Sequence, residues 1–234
     1  MRFDIVTIFR EFFSGPLDYG IVRRARETKL IEVAVSDLRE FAHDRHRTVD
    51  DRPFGGGAGM VLKPEPLFEA VESLVGSTIT PPHTAIVLLS ASGELFRQET
   101  AREFAELERL VLLCGRYEGV DERVAEHLAT HEISIGDFVL AGGEIAAMAV
   151  IEAAVRLRPG VLGDQASTEE ESFMGHLLEY PHFTRPQEFE GRSLPAVLTN
   201  GNHKEISKWR RAQAEALTRA RRPDLWTLYE KDKG

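Results

Sequence analysis

Short apolar runs and longer stretches of helical period alternate along the first two thirds of the chain. Arg2–Phe9 (RFDIVTIF), Ile31–Val35, Thr84–Leu89 and Leu110–Cys114 are rich in Val, Ile and Leu and predict strands covered on both faces. Between them, Leu17–Glu27, Pro66–Val75, Gln98–Glu108 and Val120–Ala129 carry helical patterns, and a further helix is predicted over Gly143–Leu157. This βαβα rhythm predicts an α/β domain with a mainly parallel sheet. Arg158–Glu171 breaks the rhythm with Pro159, Gly160, Gly163 and the acid run Glu169–Glu171, and reads as a linker. Tyr180–Asn200 is rich in Pro, aromatic and turn residues and shows no clear period. A last helix then starts at Asn202, an N-cap with Glu205 at N3, and ends at Pro223. Its apolar face is expected to hold Ile206, Trp209, Ala212 or Gln213, Ala216 and Leu217. The predicted organisation is a main domain over 1–158, a flexible linker over 159–175 and a small helical domain over 176–234.

The 234 residues suffice for that arrangement. No run approaches the roughly 20 apolar residues of a membrane span, so no membrane association is expected. Met1–Val6 places Asp4 inside its apolar run and has no small-residue cleavage site, so no signal peptide is expected either. Cys114 is the only cysteine, which excludes an intramolecular disulfide and fits a reducing, cytoplasmic setting. The net charge of -9 argues mildly against nucleic acid as a partner. One stretch runs the other way: from Lys204 to Arg222, Lys204, Lys208, Arg210, Arg211, Arg219, Arg221 and Arg222 stand against only Glu205 and Glu215. Such a stripe is either a solvated helix face or a local footprint for nucleic acid.

Four segments are odd for mere structure. His43–Arg52 packs two His, three Arg and three Asp against the glycines of Gly55-Gly56-Gly57-Ala58-Gly59-Met60, which suits a phosphate or a nucleotide. It is not a P-loop, since no Gly-Lys-Ser/Thr follows, and no strand leads into it as a dinucleotide fingerprint requires. His43 and His46 could begin a zinc site, but no nearby Cys or His completes it. Cys114-Gly115-Arg116-Tyr117-Glu118-Gly119 directly follows a buried-strand pattern, where open α/β sheets bind ligands, although Glu118, Asp121 and Glu122 also suit the start of a helix. Cys114 itself has no local base and reads as packing. Ile133–Glu144 is a strand running into a Gly-rich turn and a helix, and Gly191–His203 leads into the last helix.

Taken in order, these segments resemble the bacterial tRNA (guanine-N1)-methyltransferases that act at position 37, of the SPOUT superfamily. The match runs from Met1 to about Leu225. It is carried by His43–Asp51, Gly55–Met60, Cys114–Gly119, Ser134-Ile135-Gly136-Asp137, Gly142-Gly143-Glu144, Tyr180-Pro181-His182-Phe183-Thr184-Arg185-Pro186 and Gly201-Asn202-His203. The resemblance implies an α/β fold with a deep trefoil knot, which no compositional rule would propose, and a homodimer with each active site at the interface. S-adenosylmethionine would sit bent in the knot, held by Ser90, Gly115, Ile135, Gly136, Asp137, Phe138, Val139, Leu140, Gly142 and Gly143. Ala91 stands where most of the family has Pro.

N1 of guanine carries a proton, so the reaction needs a base at N1 and a cation near O6. The resemblance implies Glu171 as the base, offered by one subunit to the other's site, where the family usually has Asp; Glu170 is the alternative. It implies Arg156 as the O6 partner, because an arginine stays charged and can place two donors at once, and Glu118 as a further residue near the guanine. His46, Asp50, Arg52 and Gly59 would help hold splayed-out bases. The basic stripe would meet phosphates of the anticodon arm carrying guanines 36 and 37. Mg²⁺ is implied, with no ligand set readable from the sequence. Two other readings are a SPOUT ribose 2′-O-methyltransferase, which would leave the Gly-rich loop and the last domain unexplained, and a non-catalytic RNA-binding relative.

Overall fold

The computed structural model describes residues 1–76, 82–162 and 171–233. The chain forms two compact units, Met1–Gly163 and Asp164–Gly234.

In the first unit, strands β1 (Arg2–Thr7), β2 (Glu32–Asp37), β5 (Thr84–Leu95), β6 (Arg109–Cys114) and β7 (His131–Ser134) form one sheet in the order β2-β1-β6-β5-β7, and β3 (Asp50–Asp51) pairs with β4 (Val61–Leu62) in a small hairpin. Every pairing in the large sheet is parallel. Side chains alternate between its faces, as strand geometry requires. Phe3, Ile5, Leu110, Leu112, Val87 and Leu89 join one core with Val22, Ala25 and Phe104. Val6, Val111, Leu113, Ile86 and Leu88 join the other with Leu67, Val71 and Val124. Helices α1 (Gly20–Glu27), α3 (Gln98–Glu106) and α5 (Glu144–Val155) supply the first layer, and α2 (Pro64–Val75) and α4 (Glu122–His127) the second. The expected α/β class with a mainly parallel sheet is what forms.

Boundaries differ from the sequence expectation where side chains redirect the backbone. β1 ends at Thr7 rather than Phe9, because the Thr7 hydroxyl accepts the Phe9 N–H at 2.9 Å and turns the chain into a 3-10 turn over Arg10–Phe13. The expected helix over Leu17–Glu27 divides into a 3-10 turn at Pro16–Asp18 and α1. β5 runs past Leu89 to Leu95, and its register on β7 shifts between Leu89 and Glu94. Ser90–Gly93 thus bulges out, and the strand pairs with Ile133 on both sides of the bulge. Asp4, 1% exposed, is held by Arg109 at 2.7 Å and Arg2 at 2.9 Å, which offsets the cost of its burial.

The second unit contains the hairpin β8 (Glu188–Phe189) and β9 (Arg192–Ser193), helix α6 (His203–Arg221) and helix α7 (Pro223–Asp232). The Asn202 side chain caps α6 by accepting the Glu205 N–H. Pro223 both ends α6 and opens α7, a helix the sequence reading did not anticipate. The buried seam of α6 is also rotated from the expected face: Ala216 is exposed, while Ala214 and Thr218 are buried. The reason is steric and polar. Small side chains at 214 and 218 admit the Leu177–Leu178 segment, and the Thr218 hydroxyl accepts the Leu178 N–H at 2.8 Å while donating to the Ala214 carbonyl at 2.7 Å. Leu177, Ala214 and Tyr229 form the unit's core, with Tyr180 and Trp226 packed against it.

Candidate active site

Three turns converge at the carboxyl ends of the sheet strands: Ser90–Gly93 within β5, Gly115–Asp121 after β6, and Ile135–Gly143 after β7. They enclose a cavity of about 460 Å³, within the range of small-molecule sites and where an open parallel sheet is expected to bind. Backbone contacts hold the last two turns together. Gly143 N–H donates to the Gly115 carbonyl at 2.9 Å, and Arg116 bridges Gly142 in antiparallel fashion. A Cβ on Gly143 would lie 2.8 Å from the Cα of Cys114, so only glycine permits this approach.

Ser90, Gly115, Ile135, Gly136, Phe138, Val139, Leu140, Gly142 and Gly143 all line the cavity; Asp137 does not, and is exposed. Glu118 lines it too. The Gly-rich hairpin joins the site through Glu118, whose N–H donates to the Met60 carbonyl at 3.0 Å. Gly59, at φ +85°, packs so closely that a Cβ there would sit 2.3 Å from Glu118 Oε1. His46, Asp50 and Arg52 do not line the cavity: His46 and Arg52 are exposed, and Asp50 lies in β3. Asp44, which the sequence reading assigned no role, shapes that loop. It accepts the Thr48 N–H at 2.7 Å, the Thr48 hydroxyl at 2.9 Å and the His46 N–H at 3.0 Å, and these bonds lower its pKa, the Thr48 backbone contributing most.

Arg156 caps the C-terminal end of α5, the helix whose N-terminal turn edges the cavity. Twelve residues of helix separate the two ends, about 18 Å at 1.5 Å per residue. Glu171 belongs to the second unit, where it lines a separate cavity of about 420 Å³ with Tyr180, His203, Arg210 and Arg211. Glu170 lies outside the described residues.

Four cations of the basic stripe rest on aromatic rings: Arg210 on Tyr180, Arg211 on Tyr229, Arg219 on Trp226 and Arg222 on Phe173. Lys204, Lys208 and Arg221 are exposed. The stripe is therefore partly structural.

Ser92 and Glu132, which the sequence reading gave no role, also line the first cavity, and Glu144 stands behind it. Glu132 accepts from the Ser92 hydroxyl at 2.7 Å, and Ser92 contacts Ser90 at 2.8 Å. Glu144 is 3% exposed at the start of α5, where it accepts from Thr7 Oγ1 at 2.8 Å and pairs with Arg116 at 3.4 Å. Burial, and then the nearby Glu144 carboxylate, push the Cys114 thiol well above its usual range, so it is no nucleophile. Among the described residues, no group of three His, Cys, Asp or Glu could hold a metal ion, and no helix is long and apolar enough to cross a membrane.

A family model described as tRNA (Guanine-1)-methyltransferase TrmD matches residues 1–228. A tRNA (guanine-N(1)-)-methyltransferase of Gloeobacter violaceus is 56% identical over 226 residues, covering 96% of this chain and 98% of the relative. One from Dehalococcoides mccartyi is 54% identical over 226 residues, covering 97% and 90%. One from Koribacter versatilis is 52% identical over 246 residues, covering 96% and 92%.

Proposed function

This chain belongs to the tRNA (guanine-1)-methyltransferase family, and on that ground we propose that it transfers a methyl group from S-adenosylmethionine to N1 of guanine 37 in tRNA, beside the anticodon. The observation that carries the reading is the cavity at the carboxyl end of the sheet. It gathers Ser90, Gly115, Gly142, Gly143 and the Ile135–Leu140 loop, apart from Asp137, around a space of about 460 Å³. The close packing of the Gly115–Asp121 and Ile135–Gly143 turns, joined by the Gly143–Gly115 bond and the Arg116–Gly142 bridge, is compatible with the trefoil knot that the family resemblance implies.

Bound there, S-adenosylmethionine supplies a methyl group on a sulfonium. The chain must hold the guanine in line with that methyl, take the N1 proton and stabilise the charge growing on O6. Glu171 takes the proton, and Arg156 faces O6. Glu118, fixed between the cavity and Gly59, orients the base. With no metal-holding cluster among the described residues, no step is assigned to Mg²⁺. Lys204, Lys208 and Arg221 contact backbone phosphates. A tRNA substrate and one buried thiol suit a reducing cytoplasm.

A homodimer fits the character of α5. Its sequence, EIAAMAVIEAAV, is apolar on nearly every side, as in helices buried all round. Yet Ile145 is 53% exposed, and Ala149, Glu152 and Arg156 follow it at helical spacing. Val139 on the cavity loop is 91% exposed. A second copy over this face would bury these side chains and receive Arg156 and Glu171 at its own cavity.

The test is methyl transfer from radiolabelled S-adenosylmethionine to an unmodified tRNA transcript carrying guanines 36 and 37, beside a control with adenine at 37. Label in N1-methylguanine from the first transcript alone is the expected result. Label in a ribose 2′-O-methyl group, or none despite donor binding, would overturn it.

A further inference from the structure

Among the described residues, Arg116 is the one Lys or Arg that lines the cavity, against the acids Glu118, Glu122 and Glu132, and its surroundings leave it underused. Its side chain is 26% exposed. A guanidinium has five N–H donors. Among the described residues, the one polar contact of its side chain is the 3.4 Å approach of Nη1 to Glu144 Oε2, too long to be a strong charge-assisted bond.

Three features fix this guanidinium. The Phe9 ring lies 4.4 Å below its Cζ. Gly142 lets it pass overhead, since a Cβ at 142 would fall 2.5 Å from Nη1. Glu144 faces it from the first turn of α5. Glu144 has other compensation, from the Thr7 hydroxyl at 2.8 Å and from the positive end of the α5 dipole. The buried acid therefore orients Arg116 without consuming its donors.

Resting on the methyl-donor reading above, we propose that Arg116 binds the carboxylate of the donor's amino-acid tail, with Glu144 and Phe9 as its positioning residues. The sulfonium suits the acid-lined part of the cavity. The tail carboxylate is the donor's only anion; among the described residues Arg116 is the one Lys or Arg that the chain places on its own cavity wall, and the partner's Arg156 is taken up by the guanine O6. A planar fork held by a stacked ring matches a carboxylate better than a mobile lysine would.

Decarboxylated S-adenosylmethionine tests this directly, because it keeps the adenosine, the sulfonium and the amine and lacks only the carboxylate. Both ligands are titrated calorimetrically into the full-length wild-type protein and into Arg116→Met and Arg116→Lys. The wild type should prefer S-adenosylmethionine by about tenfold to a hundredfold, the size of a charge-assisted interaction. Arg116→Met should lose that preference while binding the decarboxylated ligand within about twofold of wild type, and Arg116→Lys should keep part of it. A wild type indifferent to the carboxylate overturns the assignment without recourse to any variant. So does an Arg116→Met protein that keeps the preference, or that weakens equally toward both ligands. If the wild type binds neither ligand, the donor reading of the cavity itself falls, a result distinct from indifference to the carboxylate.

Discussion

Gly143 and Gly115 are joined by a 2.9 Å hydrogen bond between backbone groups, at a point where a Cβ on Gly143 would come within 2.8 Å of Cys114 Cα. Neither neighbour is a flexible side chain that could swing aside. Gly143→Ala should therefore separate the two turns that form the cavity. The expected outcome is a loss of about 1–3 kcal/mol of stability, the usual cost of overpacking, and a fall in S-adenosylhomocysteine affinity of at least tenfold. Thermal unfolding and ligand titration read the two effects separately.

Gly59 and Glu118 make a milder version of the same relationship. Gly59→Ala places a methyl where the Glu118 carboxylate lies and demands an unfavourable φ of +85°. Glu118 can rotate away, so the fold should survive. If Glu118 orients the guanine, the KM for tRNA should rise about tenfold while donor affinity stays unchanged. Steady-state kinetics with each substrate varied in turn would show it.

Glu171→Gln removes the proposed base and keeps its shape. The rate of methyl transfer should fall by about 10²–10⁴, the usual contribution of general base catalysis, with S-adenosylmethionine binding intact. Glu171→Asp should retain much of the activity. Single-turnover transfer measures both, and an unimpaired Glu171→Gln would move the assignment to Glu170.

The α6–α7 pair should be acid-labile. Glu215 accepts from the Tyr229 hydroxyl, from Lys233 at 3.0 Å and from Arg211 at 3.2 Å. These bonds, Tyr229 first, lower its pKa from 4.5 to about 2. A carboxylate depressed on folding contributes stability that is fully present above its unfolded value and lost as pH falls through its folded one. The contribution should thus fade from about pH 4.5 down to about pH 2. Tyr229→Phe should narrow that window, as followed by Trp226 fluorescence.

Thr218→Val tests the buried seam of α6. It leaves the Leu178 N–H without its 2.8 Å acceptor, and a buried unsatisfied donor costs about 1–3 kcal/mol. A lower unfolding temperature and faster proteolysis near Leu178 are expected.

The sheet could be read from the sequence because its strands are buried on both faces and so appear as continuous Val, Ile and Leu runs. The extension of β5 through Ser90–Leu95 could not, because SASGEL has neither an apolar run nor alternation, and its pairing depends on β7, about forty residues on. The glycines and Glu118 of the cavity were visible as motifs. Thr7, Arg116 and Glu144 were not visible as a unit, since Thr7 and Glu144 meet across 137 positions. The cap at Asn202 is local chemistry and was legible. The choice of Ala214 and Thr218 over Ala216 as the buried face was not, because the Leu177–Leu178 segment and α7 decide it.

The strand order also bears on how the chain is made. β1 lies between β2 and β6, so its second edge has no partner until residues 109–114 have been synthesised. At the usual 5–20 residues per second, the roughly 75 residues between the end of β2 and the end of β6 take about 4–15 s to emerge. A β1–β2 pair formed in that interval would present an open edge, the kind of surface that recruits stray strands. The arrangement that later builds a binding cavity thus asks the growing polypeptide to wait, half-assembled, for a segment still inside the ribosome.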